Sequence, residues 1–99
     1  MTIKVLIKRK FRDGNVKESS KMLVQARHNA MKEKGYISSE TLRGCDDPNE
    51  IMVLSMWQKK EDWDRYKDSP DRQELERMFA ELLEEQTESR TYEMGMGSP

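Results

Sequence analysis

Six side chains in this sequence are of the types that bind or transform a small molecule: Trp57, Trp63, Tyr66, Arg9, Arg43 and the single histidine, His28. Trp57 closes an apolar run. An indole there could stack on a planar ring and donate its Nε1–H to an oxygen, or it could simply pack. Trp63 and Tyr66 recur at i and i+3, which places both rings on one side of a helix, where lining a pocket competes with filling a core. His28 titrates near neutrality and could move a proton, although a histidine on a mostly polar helix also serves as a surface group. Arg9 and Arg43 fall on or at the end of extended segments, where either could neutralise a phenolate or enolate or remain an ordinary strand-end charge. Tyr66, Trp57 and His28 are therefore the candidate catalytic residues, and Trp63, Arg43 and Arg9 the candidate substrate-binding ones. No metal or cofactor site is expected. His28 and Cys45 lack the spacing of metal ligands, and no glycine-rich phosphate loop or nucleophile-base-acid arrangement is found.

The elements that would hold these residues follow from periodicity. Thr2 to Phe11 alternates Ile3, Val5 and Ile7 against Lys4 and Lys8 and reads as a first strand. Asp13-Gly14-Asn15 is a turn signal, with Asn15 and Glu18 placed as a capping box for a helix from about Val16 to Lys34. Its buried stripe would be Leu23, Ala26 and Ala30, flanked by Met22 and Met31, with Gly35 as the stop. Tyr36 to Leu42 reads as a second strand and Gly44 to Asn49 as a hairpin loop. Glu50 to Trp57 is a third strand, apolar on both faces because Ile51, Met52, Val53 and Leu54 are consecutive. Lys60 to Asp68 is a short helix broken at Ser69-Pro70. Pro70 can open the next helix with Ser69 as its cap, and Leu75, Met78, Phe79, Leu82 and Leu83 repeat at helical spacing after it. Thr87 to Met94 is a last strand, and Gly95 to Pro99 a fraying tail. The order βαββαβ predicts an α+β, ferredoxin-like fold, a four-stranded antiparallel sheet with its helices on one face.

Composition bounds the rest. Ninety-nine residues make one domain, which buries roughly 60 to 68% of its unfolded surface. Charged residues reach 37% of the chain against about 25% in typical globular proteins, so a lone monomer would have a thin core. Helices on one face would also leave the third strand's other face bare. A second copy packed sheet to sheet would cover it and enclose a cavity between the layers, so a homodimer is expected. With 18 basic and 19 acidic residues spread along the chain, nucleic acid is not an expected partner, since the Lys8–Arg12 cluster carries only Phe11 among it. The lone Cys45 excludes an intramolecular disulfide, and no leader-like segment opens the sequence, so a cytoplasmic setting is expected. No apolar run exceeds four residues, and no membrane span is expected.

The segments GYISSETLRG (Gly35 to Gly44), IMVLSMWQKKEDWDRYKDSP (Ile51 to Pro70) and RTYEM (Arg90 to Met94) resemble the antibiotic biosynthesis monooxygenase family of dimeric α+β barrel proteins. The likeness spans nearly the whole chain. Its most specific piece is a strand ending in Trp and a Gln or Glu, followed by a helix that opens with acids and an aromatic and closes at a Ser-Pro break. The resemblance implies that fold, a homodimer, and one of several activities, among them cofactor-free oxygenation of phenols and quinols, haem degradation and isomerisation of small signalling molecules. Where the haem-degrading branch has a ligating histidine, this chain has Glu76 or its neighbours, which counts against haem. Two readings follow. One is a cofactor-independent monooxygenase acting on a small aromatic or quinol-type substrate in the barrel cavity, with Tyr66 and Trp57 as its walls. The other is a non-catalytic small-ligand-binding or accessory dimer of the same fold.

Overall fold

The alternation of apolar residues along the first and third strands decides which face of the sheet the helices cover. The computed structural model describes residues 1–95, in the order β1 (Ile3–Lys10), α1 (Val16–Met31), β2 (Tyr36–Arg43), β3 (Glu50–Trp57), α2 (Lys60–Lys67), α3 (Pro70–Met78), a 3₁₀ turn (Ala80–Leu82) and β4 (Glu88–Glu93). The strands pair antiparallel in the order β2-β3-β1-β4. This is the expected ferredoxin-like α+β architecture, with the helical stretch after β3 divided at Ser69-Pro70 into α2 and α3 as the sequence predicts. In β1, Ile3, Val5, Ile7 and Arg9 are buried against the helices while Lys4, Leu6, Lys8 and Lys10 are only half-buried on the other face. In β3 the partners of that inner row are Trp57, Ser55, Val53 and Ile51, and Met52, Leu54 and Met56 share the open face with Leu6. The third strand is therefore apolar on both sides, as its sequence predicts. No helix among the described residues is long and apolar enough to cross a membrane.

The core has two parts. One is built from Ile3, Val5, Ile7, Ala30, Trp57, Trp63 and Tyr66, the other from Phe11, Met22, Ile51, Leu75 and Leu83, and Val53 packs against both. Arg9 lies on the β1 inner row between Ile7 of the first part and Phe11 of the second, so the seam between them is occupied by a charge.

Four local expectations differ from the structure. Helix α1 ends at Met31 rather than Lys34, because Gly35 is used four residues later, in the turn that enters β2. The fully buried residues of α1 are Ser19, Met22, Asn29 and Ala30, with Leu23 and Ala26 half-buried and Met31 exposed. The Asn15–Glu18 capping box does not form, since the Asn15 amide instead donates to the Asp13 carbonyl. Beyond Pro70 the helix is shorter than its apolar repeat. It stops at Met78, which is exposed, and Leu83 adopts an extended conformation that bridges Phe11. The Ser69 cap is present, its hydroxyl accepting from the Arg72 amide, with Pro70 as the first helical residue. Of the expected tail, residues 96–99 lie outside the described part of the chain.

Gly35 joins these elements at close quarters. Its φ is +88°, its carbonyl accepts from the Gln58 amide at 2.8 Å just past β3, and a Cβ added to it would fall inside the Asp62 carboxylate of α2. Both the backbone conformation and the space require glycine. Gly35→Ala should destabilise the fold by about 2 to 3 kcal/mol, lowering the melting temperature by on the order of 10 °C. Adding Asp62→Ala should recover part of that loss, since it removes the clash and leaves the φ cost. A double-mutant cycle of thermal melts reads the coupling.

Candidate functional site

Where β3 hands over to α2, four aromatic rings meet. Trp57 is fully buried and stacks on Tyr66 at 5.5 Å between centroids with the planes 23° apart. Trp63 meets it edge-on at 5.9 Å, and Tyr36 of β2 edge-on at 5.6 Å. The sequence explains this. Trp57 points inward because it continues the Ile51, Val53, Ser55 row, and Trp63 and Tyr66 point at it because they are three apart on an eight-residue helix. The polar ends of Trp57 and Tyr66 have partners. Trp57 Nε1 donates to Ser55 Oγ at 3.1 Å, and the Tyr66 hydroxyl donates to the Ala26 carbonyl of α1 at 3.3 Å. The Trp57 N–H expected to face a ligand is thus engaged within its own strand.

Next to the rings lies an arginine pair. Arg9 is 2% exposed and Arg72 6%. Both guanidiniums converge on one carboxylate oxygen of Glu76: Arg9 Nη2 donates at 2.8 Å and Arg72 Nε at 3.2 Å, while Thr87 Oγ1 donates to the other oxygen at 2.7 Å. Arg72 also lies over the Trp63 ring, its Cζ 5.5 Å from the centroid, a cation–π arrangement. Two cations share one anion. Two of their donors, Arg9 Nε and Arg72 Nη1, are buried with no hydrogen-bond partner among the described residues.

Burial alone would raise the Glu76 pKa, but Arg9, the Thr87 hydroxyl and Arg72 together outweigh it and hold the carboxyl below the usual range. The balance at Tyr66 is opposite. Burial pushes its phenol up, and Arg72 and Arg9 only partly offset this, so Tyr66 stays a neutral hydroxyl.

Rings and arginines border a small cavity of about 30 Å³ between the sheet and the helices, which holds roughly one water molecule. Trp57, Trp63, Tyr66 and Arg9 of the sequence candidates line it together, with Arg72, Ser39 and Ser55. This cavity lies on the helix side of the sheet, within one chain, and not on the open face where a cavity between two sheets was expected. His28 is not part of it. It is exposed in the last turn of α1, where a histidine faces the helix's negative end. Arg43 is exposed and borders a separate depression near Phe11 and Asn49. Residue types alone missed Arg72 and Glu76, although their i, i+4 spacing on α3 carried the signal. Among the described residues no group of three or more His, Cys, Asp or Glu side chains is gathered as a metal site.

A family model described as antibiotic biosynthesis monooxygenase matches residues 2–78. No curated protein matches the sequence closely enough to count as a relative. Solved structures share the fold at low identity. A conserved protein from Methanosarcina mazei Go1 superposes with a TM-score of 0.83 at 22% identity, covering 93% of this chain and 91% of its own. SnoaB, a cofactor-independent oxygenase from Streptomyces nogalater, superposes at 0.82 with 12% identity, covering 99% and 97%. Rv0793 from Mycobacterium tuberculosis gives 0.82 at 15%, covering 99% and 100%.

The arginine pair makes Glu76 a stability determinant with a defined pH dependence. A carboxyl whose folded pKa is depressed contributes stability above its unfolded pKa of about 4.3, and that contribution is lost as pH falls through the folded value. Glu76→Gln should cost on the order of 3 kcal/mol near neutrality, because it leaves two buried guanidiniums without a counter-charge. The gap between variant and parent should narrow as the pH falls toward about 3. Urea unfolding across that range measures it; a gap independent of pH would assign Glu76 a neutral packing role.

Proposed function

The chain belongs to the antibiotic biosynthesis monooxygenase family, and on that premise we propose that it oxygenates a small phenol or quinol-type aromatic without a bound cofactor. The observation that carries this reading is the meeting of an aromatic wall, Trp57, Trp63 and Tyr66, with two buried arginines that hold unused donors. A ring would lie along the aromatic wall with its oxygen toward Arg9 and Arg72. Their charge favours the phenolate, and the phenolate is the electron donor. It passes one electron to O₂, the resulting radical pair combines at a ring carbon as a hydroperoxide, and loss of water leaves a carbonyl there. Phenol plus O₂ then gives quinone plus water, with one oxygen atom in each product, so no external reductant is needed. Glu76 is a poor base because its pKa is depressed. Its part is to hold the two guanidiniums side by side, and Thr87 fixes its second oxygen.

The size of the cavity favours the second reading, a non-catalytic accessory dimer. Small-molecule sites usually offer about 300 to 1,000 Å³, and this one is largely filled by its own rings. Under the oxygenase reading the α1 wall, which contributes Leu23 and Ala26, moves outward on binding.

The working unit in either reading is a homodimer formed on the open sheet face. Met52, Leu54, Met56 and Leu6 run down its middle, and Leu42 and Tyr92 at its flanks are 45% and 49% exposed. Covering these side chains removes apolar surface that the helices do not reach. Sedimentation should give twice the 11.7 kDa chain mass at micromolar concentration, and Leu54→Lys should shift it to the monomer. A parent protein that sediments as a folded monomer would count against this unit.

Oxygen uptake tests the chemistry. With a hydroquinone or anthrone in excess, the purified protein should consume O₂ faster than autoxidation. Arg72→Met should lower kcat/KM on the order of 10²-fold, as loss of an anion-stabilising donor does. Tyr66→Phe should leave the rate nearly intact, because the Tyr66 hydroxyl is spent on the Ala26 carbonyl. No uptake above autoxidation across such a panel would leave the accessory reading.

A further inference from the structure

The charges around the cavity go beyond what a neutral phenol requires. Its charged lining residues are Arg9, Arg27 and Arg72, and none of the lining residues is a carboxylate. Arg27 is exposed on α1 at the solvent side, while Arg9 and Arg72 are buried at the inner end. Glu76 compensates one of the two inner charges, so the inner end keeps one uncompensated positive charge. Tyr66 does not supply the missing anion, because its own phenol is kept neutral by burial. Asp62, also buried, is turned away to Arg65 at 3.2 Å.

Resting on the reading that this pocket takes an aromatic ring, we propose that its ligand carries a permanent planar anion, a carboxylate on or beside the ring, which docks on Arg9 Nε and Arg72 Nη1. These two donors belong to different guanidiniums that share one oxygen of Glu76 through their other nitrogens, and both arginines line the cavity. A carboxylate bridging the two, one oxygen to each, would satisfy the two buried N–H groups that now lack partners and neutralise the excess charge. A neutral hydroxyl does less. It offers one oxygen, brings no charge, and leaves the inner end of the pocket positive. Arg27 extends the same preference to the mouth, where it draws an anion in before the inner pair takes hold. The preferred substrate class is thus a phenolic ring acid, such as a hydroxybenzoate or a larger ring acid, with its carboxylate on these two donors and its phenol oxygen within the field of the same guanidiniums, ahead of an uncharged quinol.

The test compares isosteres on the full-length protein. Para-hydroxybenzoate and para-hydroxybenzamide differ in charge and hardly in shape, and calorimetry at neutral pH gives their affinities. Quenching of Trp57 and Trp63, the two tryptophans of the chain, reports that binding occurs in this cavity. The acid should bind about tenfold more tightly than the amide. Arg72→Gln should abolish that preference, the acid losing its roughly tenfold advantage over the amide measured on the same variant. Should Arg72→Gln fail to fold, Arg27→Gln decides, since this exposed side chain is not needed for the core; it should slow association of the acid severalfold in stopped-flow quenching and leave that of the amide alone. Equal affinities for acid and amide, or Arg27→Gln without effect on the acid's association, would overturn the proposal. Binding of hydroquinone with no acid preference would overturn it and leave the oxygenase reading standing, whereas failure of acid, amide and hydroquinone alike to quench would remove both.

Discussion

A guanidinium in the middle of the core is the constraint on which this structure depends. Arg9 continues the inward row of Ile3, Val5 and Ile7, so the pleat of β1 gives it no route to solvent. Burying it without a partner would cost several kcal/mol. Glu76 must therefore arrive from α3, which fixes the rotation of that helix about its axis. One turn earlier, Arg72 is then carried to the same carboxylate and laid over Trp63. The second oxygen of Glu76 takes Thr87, one residue before β4. A single buried charge thus ties β1, α2, α3 and the entry to β4 together. The same arrangement leaves two donors unmet where the aromatic rings are, and so the feature that organises the fold also makes the pocket chemically distinctive.

The fold was largely legible because its strongest signals are local. Ile51 to Trp57 forms a strand with apolar residues on both faces, and Ser69-Pro70 ends one helix and begins another by the geometry of proline alone. The misses occur where a distant contact overrides a local pattern. Leu75, Met78, Phe79, Leu82 and Leu83 have helical spacing, yet the chain must turn back to reach the free edge of β1. Phe11 bridges Leu83, and the Glu84 amide donates to the Lys10 carbonyl at 2.8 Å, which unwinds the last turn of the pattern into extended chain. Gly35 looked like a helix stop and is instead the point where β2, β3 and α2 approach most closely, a requirement that only the Asp62 contact reveals.

The site was half legible. Rings at i and i+3 after a buried strand announce a cluster, and Trp57, Trp63 and Tyr66 form one. Arginines were harder, because a charge in a chain so rich in charge reads as solvated. Arg43 and Arg9 look alike in sequence, each near a strand end, and the structure separates them by sheet position. Arg43 ends the edge strand β2 and is exposed, whereas Arg9 sits on the inner row of central β1. Arg72 and Glu76 look like a common surface pair at i, i+4, and only the arrival of Arg9 makes them otherwise. His28 was singled out for its residue type, and the phase of α1 turns it away from the sheet.

Tyr66 shows what the pocket can do to a phenol. It lies within the influence of both Arg72 and Arg9, and each lowers its pKa, yet burial outweighs them and the net shift is upward. A positive charge nearby is therefore not enough to ionise a phenol here. The Tyr66 oxygen is hydrogen-bonded to the Ala26 carbonyl, which stabilises its protonated form and offers nothing to the anion. A ligand oxygen placed on Arg9 Nε or Arg72 Nη1 would meet the reverse conditions, with direct donors from two buried guanidiniums. A guanidinium at about 4 Å contributes on the order of 4 kcal/mol at an effective dielectric constant of about 20, equivalent to roughly three pKa units before the desolvation cost is deducted. Ionisation in this pocket is thus a matter of which atoms touch the donors. A phenol that touched those donors would differ in charge from Tyr66 a few ångströms away, which stays a neutral wall.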